Sequence, residues 1–417
     1  MLRFLTAGES HGKALVVILE GVPAGLPITV EQIGNELARR RLGYGRGPRM
    51  KFEADEITLL AGIRHGRTLG SPIAIEIGNS EWEKKWTEEM SPHPGETSQK
   101  LTTPRPGHAD LTGMQKYDFD DARNVLERAS ARETAARVAA GAVAKALLST
   151  IGTTVGSHVI SLGPVRADVA LRPSAAQFDA VDESEVRCLD PNAAAQMIAE
   201  IKSAQKAGDS LGGIVEVVAY GVPIGLGSHV HWDRRLDGRI AQAMLSIQAV
   251  KGVEIGEGFS VAERPGSQAH DPIVWDEVAM TYRRTSDNAG GIEGGMSTGE
   301  VLLARVAMKP LATLNKPVLA TVDTATKESG VSFRERTDVT AVPAMGVVAE
   351  AMCALVLADE ALRKFGSDSI QEFTRNHATY VEQVRSQAAR IDFATSSSEE
   401  PLNWDAAAAF GTDAPQS

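Results

Sequence analysis

The residue pattern predicts an α+β fold built in packed layers. Strand-like runs and helical runs are each grouped along the chain, without the strict βαβα alternation of a doubly wound sheet. Two helical segments are apolar almost all the way round, so they need cover on more than one side, which a helix layer between sheets supplies. With 43% hydrophobic residues over 417 positions, the chain has enough apolar material for one large core.

Taken in order, Ala14 to Leu19 is a short apolar run after a glycine-rich start and reads as a strand. Glu31 to Arg41 is an amphipathic helix with Thr29 as its cap. Ile57 to Ala61 and Ile73 to Ile77 alternate or nearly so, bounded by Gly, Pro or Asn, and read as strands. From about Ala122 to Leu148 runs an Ala-, Val-, Leu- and Arg-bearing helix, whose later part from Ala135 carries only Arg137 and Lys145 as charges. Ile214 to Tyr220, Val301 to Ala307 and Val318 to Val322 read as further strands. A second nearly all-apolar helix runs from about Ala344 to Phe365. The stretch from about Thr395 to Ser417 is rich in Ser, Ala, Glu and Pro, which predicts disorder. The expected organisation is therefore one domain over 1–393 and a disordered tail over 394–417.

Charge and cysteine content narrow the function classes. Lys+Arg 43 against Asp+Glu 54 leaves a net charge of −11, which argues against nucleic acid or an anionic membrane as the main partner. Two cysteines, Cys188 and Cys353, cannot form a disulfide framework and suit a reducing compartment. No targeting or membrane-spanning segment is visible, so a cytoplasmic protein is expected.

The 39 glycines cluster at Gly8 to Gly12, Gly43 to Gly47, Gly208 to Gly213, Gly252 to Gly258 and Gly290 to Gly299. Such loops either make tight turns or let backbone N–H groups approach an anion. His11 and His108 stand out because each sits in a polar, glycine-bearing context, Gly8-Glu-Ser-His-Gly12 and Arg105-Pro-Gly-His-Ala-Asp110. A histidine on such a loop is either simply solvated or a general acid near neutral pH. His229 and His231 could share a strand face as metal ligands do, but nothing completes a standard site, and no metal is expected. Arginine recurs beside these motifs, as Arg39 to Arg41, Arg46, Arg49, Arg105, Arg128, Arg132, Arg334 and Arg336. Local basic clusters in an acidic chain suit a small anionic ligand, since the guanidinium fork meets carboxylates and phosphates at two points. For Arg39 to Arg41 alone the competing reading is a solvated charge run. No phosphate loop of the Gly-x4-Gly-Lys type, no dinucleotide fingerprint in a strand–loop–helix setting and no Gly-x-Ser-x-Gly elbow is present.

Together these motifs resemble the chorismate synthase family, most closely its bacterial, actinobacterial-type members. The resemblance rests on Gly8 to Gly12, Arg105 to Asp110, Glu127-Arg-Ala-Ser-Ala-Arg-Glu-Thr134, Gly208-Asp-Ser-Leu-Gly-Gly213, Gln248 to Gly256, Asn288 to Gly299 and Arg336-Thr-Asp-Val-Thr340, in that order over about residues 1 to 390. It implies a carbon–oxygen lyase that removes phosphate from 5-enolpyruvylshikimate 3-phosphate by 1,4-elimination, using reduced FMN without net redox change. The implied fold is a single β-α-β sandwich, with internal helices between antiparallel sheets, and the implied assembly is a homotetramer.

By the same resemblance, His11 holds a proton beside the reduced flavin, His108 assists the departing phosphate, and Asp338 relays a proton. Arg40, Arg46 and Arg49 match anion-binding positions, and Arg40 and Arg46 also match nucleotide-phosphate contacts of the NADP kind. Arg128, Ala129, Ser130, Gln248, Ala249, Gly294, Lys309, Pro310, Leu311, Ala312, Thr313 and Arg336 match flavin-binding positions. Bacterial members take FMN already reduced, which implies an external source of reduced flavin. Taken alone, Asp338 reads equally as a strand-end cap. Two other readings compete at this stage: a carrier for phosphorylated small molecules, and a flavin oxidoreductase turning over NAD(P)H. The carrier needs anion sites but neither loop histidines nor Asp338.

Overall fold

Thr29 opens the first helix as the sequence predicts. Its hydroxyl accepts from the Gln32 amide while the Gln32 side chain accepts from the Thr29 amide, so two otherwise orphaned donors are satisfied and helix α1 runs Val30–Arg41. The protein is described by a computed structural model covering residues 1–46, 55–97, 99–333 and 337–388. The expected boundary at 393 and the tail after it lie outside the described residues, as do Arg49, Arg334 and Arg336.

Two antiparallel sheets carry most of the strands. The first has strands β1 (Arg3–Ala7), β2 (Ala14–Glu20), β3 (Glu56–Ala61) and β4 (Ile73–Gly78), in the order β1-β2-β4-β3. Its pattern has period two: Leu15, Val17 and Leu19 of β2 and Ile73, Ile75 and Ile77 of β4 are buried, while their neighbours face outward. The second sheet has β5 (Thr154–Leu162), β6 (Val165–Arg166), β7 (Gly213–Tyr220), β8 (Val250–Ile255) and β9 (Leu302–Met308), in the order β8-β9-β7-β5-β6. The run read as a strand over Val318 to Val322 forms only a short hairpin, Ala320–Val322 with Ser329–Val331.

The long helix expected over 122–148 is not continuous. It divides into α3 (Arg123–Ala129), a short 3₁₀ turn and α4 (Thr134–Ser149), preceded by α2 (Asp110–Tyr117). The break is at Ser130, whose backbone is extended at φ −65°, ψ 143°, and whose hydroxyl accepts from the Arg132 amide. Ser130-x-x-Glu133 has the form of a cap, a side chain competing with the helix for backbone groups, and a reading of apolar spacing alone passes over it. The other strongly apolar helix, α6, spans Val342–Phe365, after α5 (Pro191–Ala207). It is long and apolar enough to cross a membrane, but 94% of its most apolar window is buried inside the fold.

Helix α4 packs on β2 and β4 and on α6, while α6 packs on β5 and β7, and α1 touches both helices. Each apolar helix therefore meets protein on several sides, which is why neither has a polar face. Their crossing is close. A Cβ built on Gly141 would lie 2.3 Å from the Cβ of Ala351 and 2.7 Å from its Cα, so only glycine fits there.

Three ionic partners on the second sheet lie on its face away from α6. His158, Glu216 and Arg305 are cross-strand neighbours on β5, β7 and β9. Glu216 accepts from Arg172 at 3.0 Å and Arg305 at 3.1 Å and lies 3.3 Å from His158. Burial pushes the Glu216 carboxyl up, but the hydrogen bond from His158 and the charge of Arg172 outweigh it and hold it at about 2.

Two outcomes follow from this packing. Gly141→Ala should destabilise the protein by about 1–3 kcal/mol, the usual cost of overpacking, read as a lower midpoint in chemical denaturation. Glu216→Gln should be most destabilising near neutral pH. A depressed carboxyl favours the folded state fully above its ordinary value of 4.5, and that contribution is lost as pH falls towards about 2. The difference in melting temperature between wild type and variant should therefore shrink towards zero over that acid range.

Candidate active site

The loop Gly8 to Gly12 leaves β1 and returns to β2. Gly8 has φ +99°, and a Cβ there would lie 2.3 Å from the carbonyl oxygen of Ala14, so the turn requires glycine. Asn79, just past β4, pins the loop by donating to the Gly12 carbonyl at 2.6 Å and the Glu9 carbonyl at 3.3 Å. Arg132 holds Asn79 in turn at 3.0 Å.

His11 sits on this loop against α3. Its backbone N–H donates to Glu127 Oε2 at 2.8 Å, and its Nδ1 lies 2.9 Å from Oε1 of the same carboxylate. The imidazole stacks on Trp86 with ring centroids 4.0 Å apart. Arg123, one turn before Glu127, donates to it at 3.0 Å. Burial raises the Glu127 carboxyl, but the His11 hydrogen bonds and the Arg123 charge bring it below its ordinary value. Trp86 and Arg123 also line an open cavity of about 460 Å³, with Glu89, Glu96 and Leu101 on other walls.

The residues after Glu127 join His11 to a second group. Arg128 donates to the carbonyls of Thr6 at 2.8 Å and Gly8 at 3.1 Å, and the Ser130 hydroxyl lies 3.1 Å from that of Ser10. Glu133 accepts from Thr6 at 2.7 Å, Arg137 at 2.8 Å and the Gln248 amide at 3.0 Å. The Gln248 side-chain oxygen is buried with no hydrogen-bond partner among the described residues. Ala249 holds φ +66°, which is costly for a residue with a Cβ, and its carbonyl accepts from the Lys309 amide at 3.0 Å.

Lys309 begins the segment through Thr313, beyond β9. Its ammonium donates to the Gly107 carbonyl at 2.7 Å, and burial with the nearby Lys251 charge lowers its proton affinity. Gly212 lets this segment approach, since a Cβ there would fall 2.3 Å from the Met308 carbonyl oxygen and 2.9 Å from Pro310 N. The Leu311 carbonyl accepts from Ser210, and the Thr313 hydroxyl from Arg105 at 3.0 Å.

His108 follows Arg105 in a turn that leads into α2. Its Nδ1 is 2.5 Å from Oδ1 of Asp110, the first residue of that helix. Asp110 is fully buried and receives Arg105 through Nε at 2.8 Å, Nη2 at 3.1 Å and the backbone N–H at 3.1 Å. Burial raises this carboxyl, but His108 and Arg105 bring it well below the usual carboxylate range. The Arg105 guanidinium also lies over the Phe333 ring at 4.8 Å.

The third group joins the end of α1 to the start of α6. Arg46 Nε lies 3.1 Å from Asp338, and the Val339 amide donates to the Gly45 carbonyl at 2.9 Å. Val339 in turn accepts from Leu211, next to Ser210, so this pair is tied to the Lys309–Thr313 segment. Arg40 is buried near the end of α1.

Continuous contacts thus bring together His11, Arg128, Ser130, Gln248, Ala249, Lys309, Leu311, Thr313, His108, Arg46 and Asp338. Gly294 is not among the residues these contacts join; it sits in the turn of the hairpin Ile292–Glu293 and Met296–Ser297, whose next residue Gly295 packs on Arg235. The arginine-rich motifs are not all anion sites. Arg39 pairs with Glu350, Asp182 and Glu36, Arg105 with Asp110, and Arg132 with Asp55 and Asn79, so each has donors committed inside the protein. Nor are Arg39 to Arg41 a solvated run, because Arg40 is buried and Arg39 is locked in ion pairs. Among the described residues no group of three or more His, Cys, Asp or Glu side chains could hold a metal, and His231 instead pairs with Asp233.

Sequence reasoning did not single out Glu127 and Asp110, the carboxylates that face the two histidine rings, although both stand inside motifs already singled out. A carboxylate two positions after a loop histidine, as in His108-Ala-Asp110, was the available signal. Nothing in the sequence marked Trp86 or Asn79.

A family model described as chorismate synthase matches residues 2–362. The chorismate synthase of Salinispora tropica is 59% identical over 391 residues, covering 92% of this chain and 99% of that protein. The chorismate synthase of Streptomyces avermitilis is 57% identical over 392 residues, covering 92% and 98%. A crystal structure of a chorismate synthase superposes with a TM-score of 0.74 at 44% identity, over 92% of this chain and 98% of that one.

Proposed function

This chain belongs to the chorismate synthase family, and we propose on that premise that it converts 5-enolpyruvylshikimate 3-phosphate to chorismate and phosphate in the shikimate pathway. In the reaction the ring C–O bond to phosphate and a ring C–H bond break, a new double bond forms, and substrate and product stand at the same oxidation level overall. The observation that carries this reading is the run of contacts joining two carboxylate-backed loop histidines to the Lys309–Thr313 segment and the Arg46–Asp338 pair.

The residues present suit reduced FMN. The unpartnered Gln248 oxygen is an acceptor for a ring N–H, the Lys309 ammonium meets negative charge, and Arg128, Ala129, Ser130, Pro310, Leu311, Ala312 and Thr313 border the same region. When bound, the reduced flavin supplies electron density for C–O cleavage and recovers it by the end of the reaction. The chain itself binds, orients and moves protons. His108 gives a proton to the departing phosphate oxygen, whose leaving without one is slow. His11 holds a proton on the cofactor side of the pocket. Asp338 accepts and returns a proton at its carboxylate, with Arg46 offsetting its charge. Arg40 and Arg46, with Arg49 and Arg336, hold the substrate's carboxylates and phosphate, and their nucleotide-phosphate role is not needed for this reaction.

The layering, α4 against the first sheet and α6 against the second, supports a single β-α-β sandwich with the helices internal. Large apolar side chains left exposed at Val230, Trp232 and Phe259 support assembly into a homotetramer. Reduced flavin then comes from an external source.

Anaerobic incubation of the chain with 5-enolpyruvylshikimate 3-phosphate and dithionite-reduced FMN should release phosphate and chorismate in equal amounts with no net flavin oxidation. Steady oxidation of NAD(P)H without chorismate would favour an oxidoreductase, and binding without phosphate release a carrier. His108→Ala should lower turnover by about 10²-fold or more while the fold and FMN binding persist. Asp338→Asn should do the same in single turnover of a preformed ternary complex. An unchanged single-turnover rate would remove Asp338 from proton transfer.

A further inference from the structure

Both candidate catalytic histidines are held by one device. A buried carboxylate faces Nδ1, an arginine clamps the carboxylate, and the carboxylate takes a second hydrogen bond from the main chain. At His11 the carboxylate is Glu127, clamped by Arg123, and the His11 N–H itself supplies the main-chain bond. At His108 it is Asp110, clamped by Arg105, whose own N–H supplies that bond. The two carboxylates come from different helices, so the likeness is not a repeat of one local turn.

We propose that Glu127 and Asp110 are positioning residues that fix His11 and His108 with the hydrogen on Nδ1, so that Nε2 of each ring is the nitrogen presented to the reaction. This rests on the activity assigned above for its kinetic consequence, but not for its spectroscopic one. A neutral imidazole has one N–H and one lone pair, and an ionised carboxylate only accepts. Against burial, the histidine hydrogen bonds first and then Arg123 and Arg105 hold Glu127 and Asp110 below their ordinary values, so each ionised carboxylate accepts and the ring gives its hydrogen to it at Nδ1. At His108, Arg105 Nη2 reaches both ring nitrogens, at 3.2 and 3.4 Å, but as a donor it takes no proton from either. Stacking of His11 on Trp86 at 4.0 Å opposes rotation of the ring about its remaining freedom. When a ring is charged, Nε2–H is the proton available to give, because Nδ1–H stays bonded to the carboxylate behind it, as in carboxylate–histidine pairs elsewhere.

The test is ¹⁵N NMR of the full chain, histidine-labelled and saturated with oxidised FMN, at a pH where the rings are neutral. His11 and His108, assigned by His11→Asn and His108→Asn, should both show the Nδ1–H tautomer, against the Nε2–H preference of free histidine. This measurement needs no further variant, and an Nε2–H signal for either ring overturns the proposal for that ring. Glu127→Gln should move His11 alone towards Nε2–H, leaving His108 unchanged. Its kcat should fall about 10–10²-fold with little change in KM, and Glu127→Asp should recover part of the loss. Retention of the Nδ1–H tautomer and of wild-type kcat in Glu127→Gln would show that Glu127 only supports the loop. If the unmodified chain makes no chorismate, the activity reading fails, while the tautomer signals still decide this one.

Discussion

Glu350, in the middle of α6, is the constraint on which the rest of the arrangement depends. Its carboxylate is fully buried and accepts from Arg39 of α1 at 2.7 and 3.0 Å, Lys145 of α4 at 2.5 Å, Arg187 at 2.9 Å and Ser157 of β5 at 2.7 Å. A lone buried carboxylate would be expensive, and removing one partner of such a set leaves an uncompensated charge. Burial pushes this carboxyl up, and the three cations pull it well below its usual value. One side chain thereby fixes α1, α4, α6 and the second sheet relative to one another. Apolar packing alone, which is non-directional, would leave their sliding poorly specified.

That fixing reaches the candidate site through chain connectivity. Arg39 lies at the end of α1, so holding it places Arg40 and the loop to Arg46. Glu350 lies in the helix that begins just after Asp338. The Arg46–Asp338 pair and the Gly45–Val339 hydrogen bond therefore sit between two chain segments that Glu350 and Arg39 already tie together. The histidine loops follow the same logic on a smaller scale, each glycine-permitted turn being held by a helix carboxylate. Precision at a site built on loops has to come from such contacts, because the loops have no ladder of their own.

What the sequence made legible follows from what each signal measures. Apolar periodicity and the Thr29 cap located α1, α6 and five of the nine sheet strands to within a residue or two. It merged α3 and α4, because Ser130 interrupts the backbone without interrupting the apolar pattern. It passed over β5, which is buried at every position after Thr154 and so does not alternate, and β1, whose exposed face carries Leu5. Motifs located the histidines, and the family resemblance pointed to Lys309. Arginine counts misled in part, since a guanidinium that clamps Asp110 or Glu350 has the same sequence as one that waits for a ligand. Only the fold separates the two uses, because the partner carboxylate of Arg39 lies on a helix far along the chain.

The dependence on Glu350 is tested most directly by amide hydrogen exchange in Glu350→Gln under native conditions. The Tyr44 amide, donating to Glu185, and the Val339 amide, donating to Gly45, report the loop and the start of α6. Both should exchange faster than in wild type, while the amides pairing β2 with β4, in the sheet that gives Glu350 no hydrogen-bond partner among the described residues, keep their rates. Wild-type rates at Tyr44 and Val339 in the variant would contradict the dependence, and show that the loop carrying Arg46 is held without Glu350.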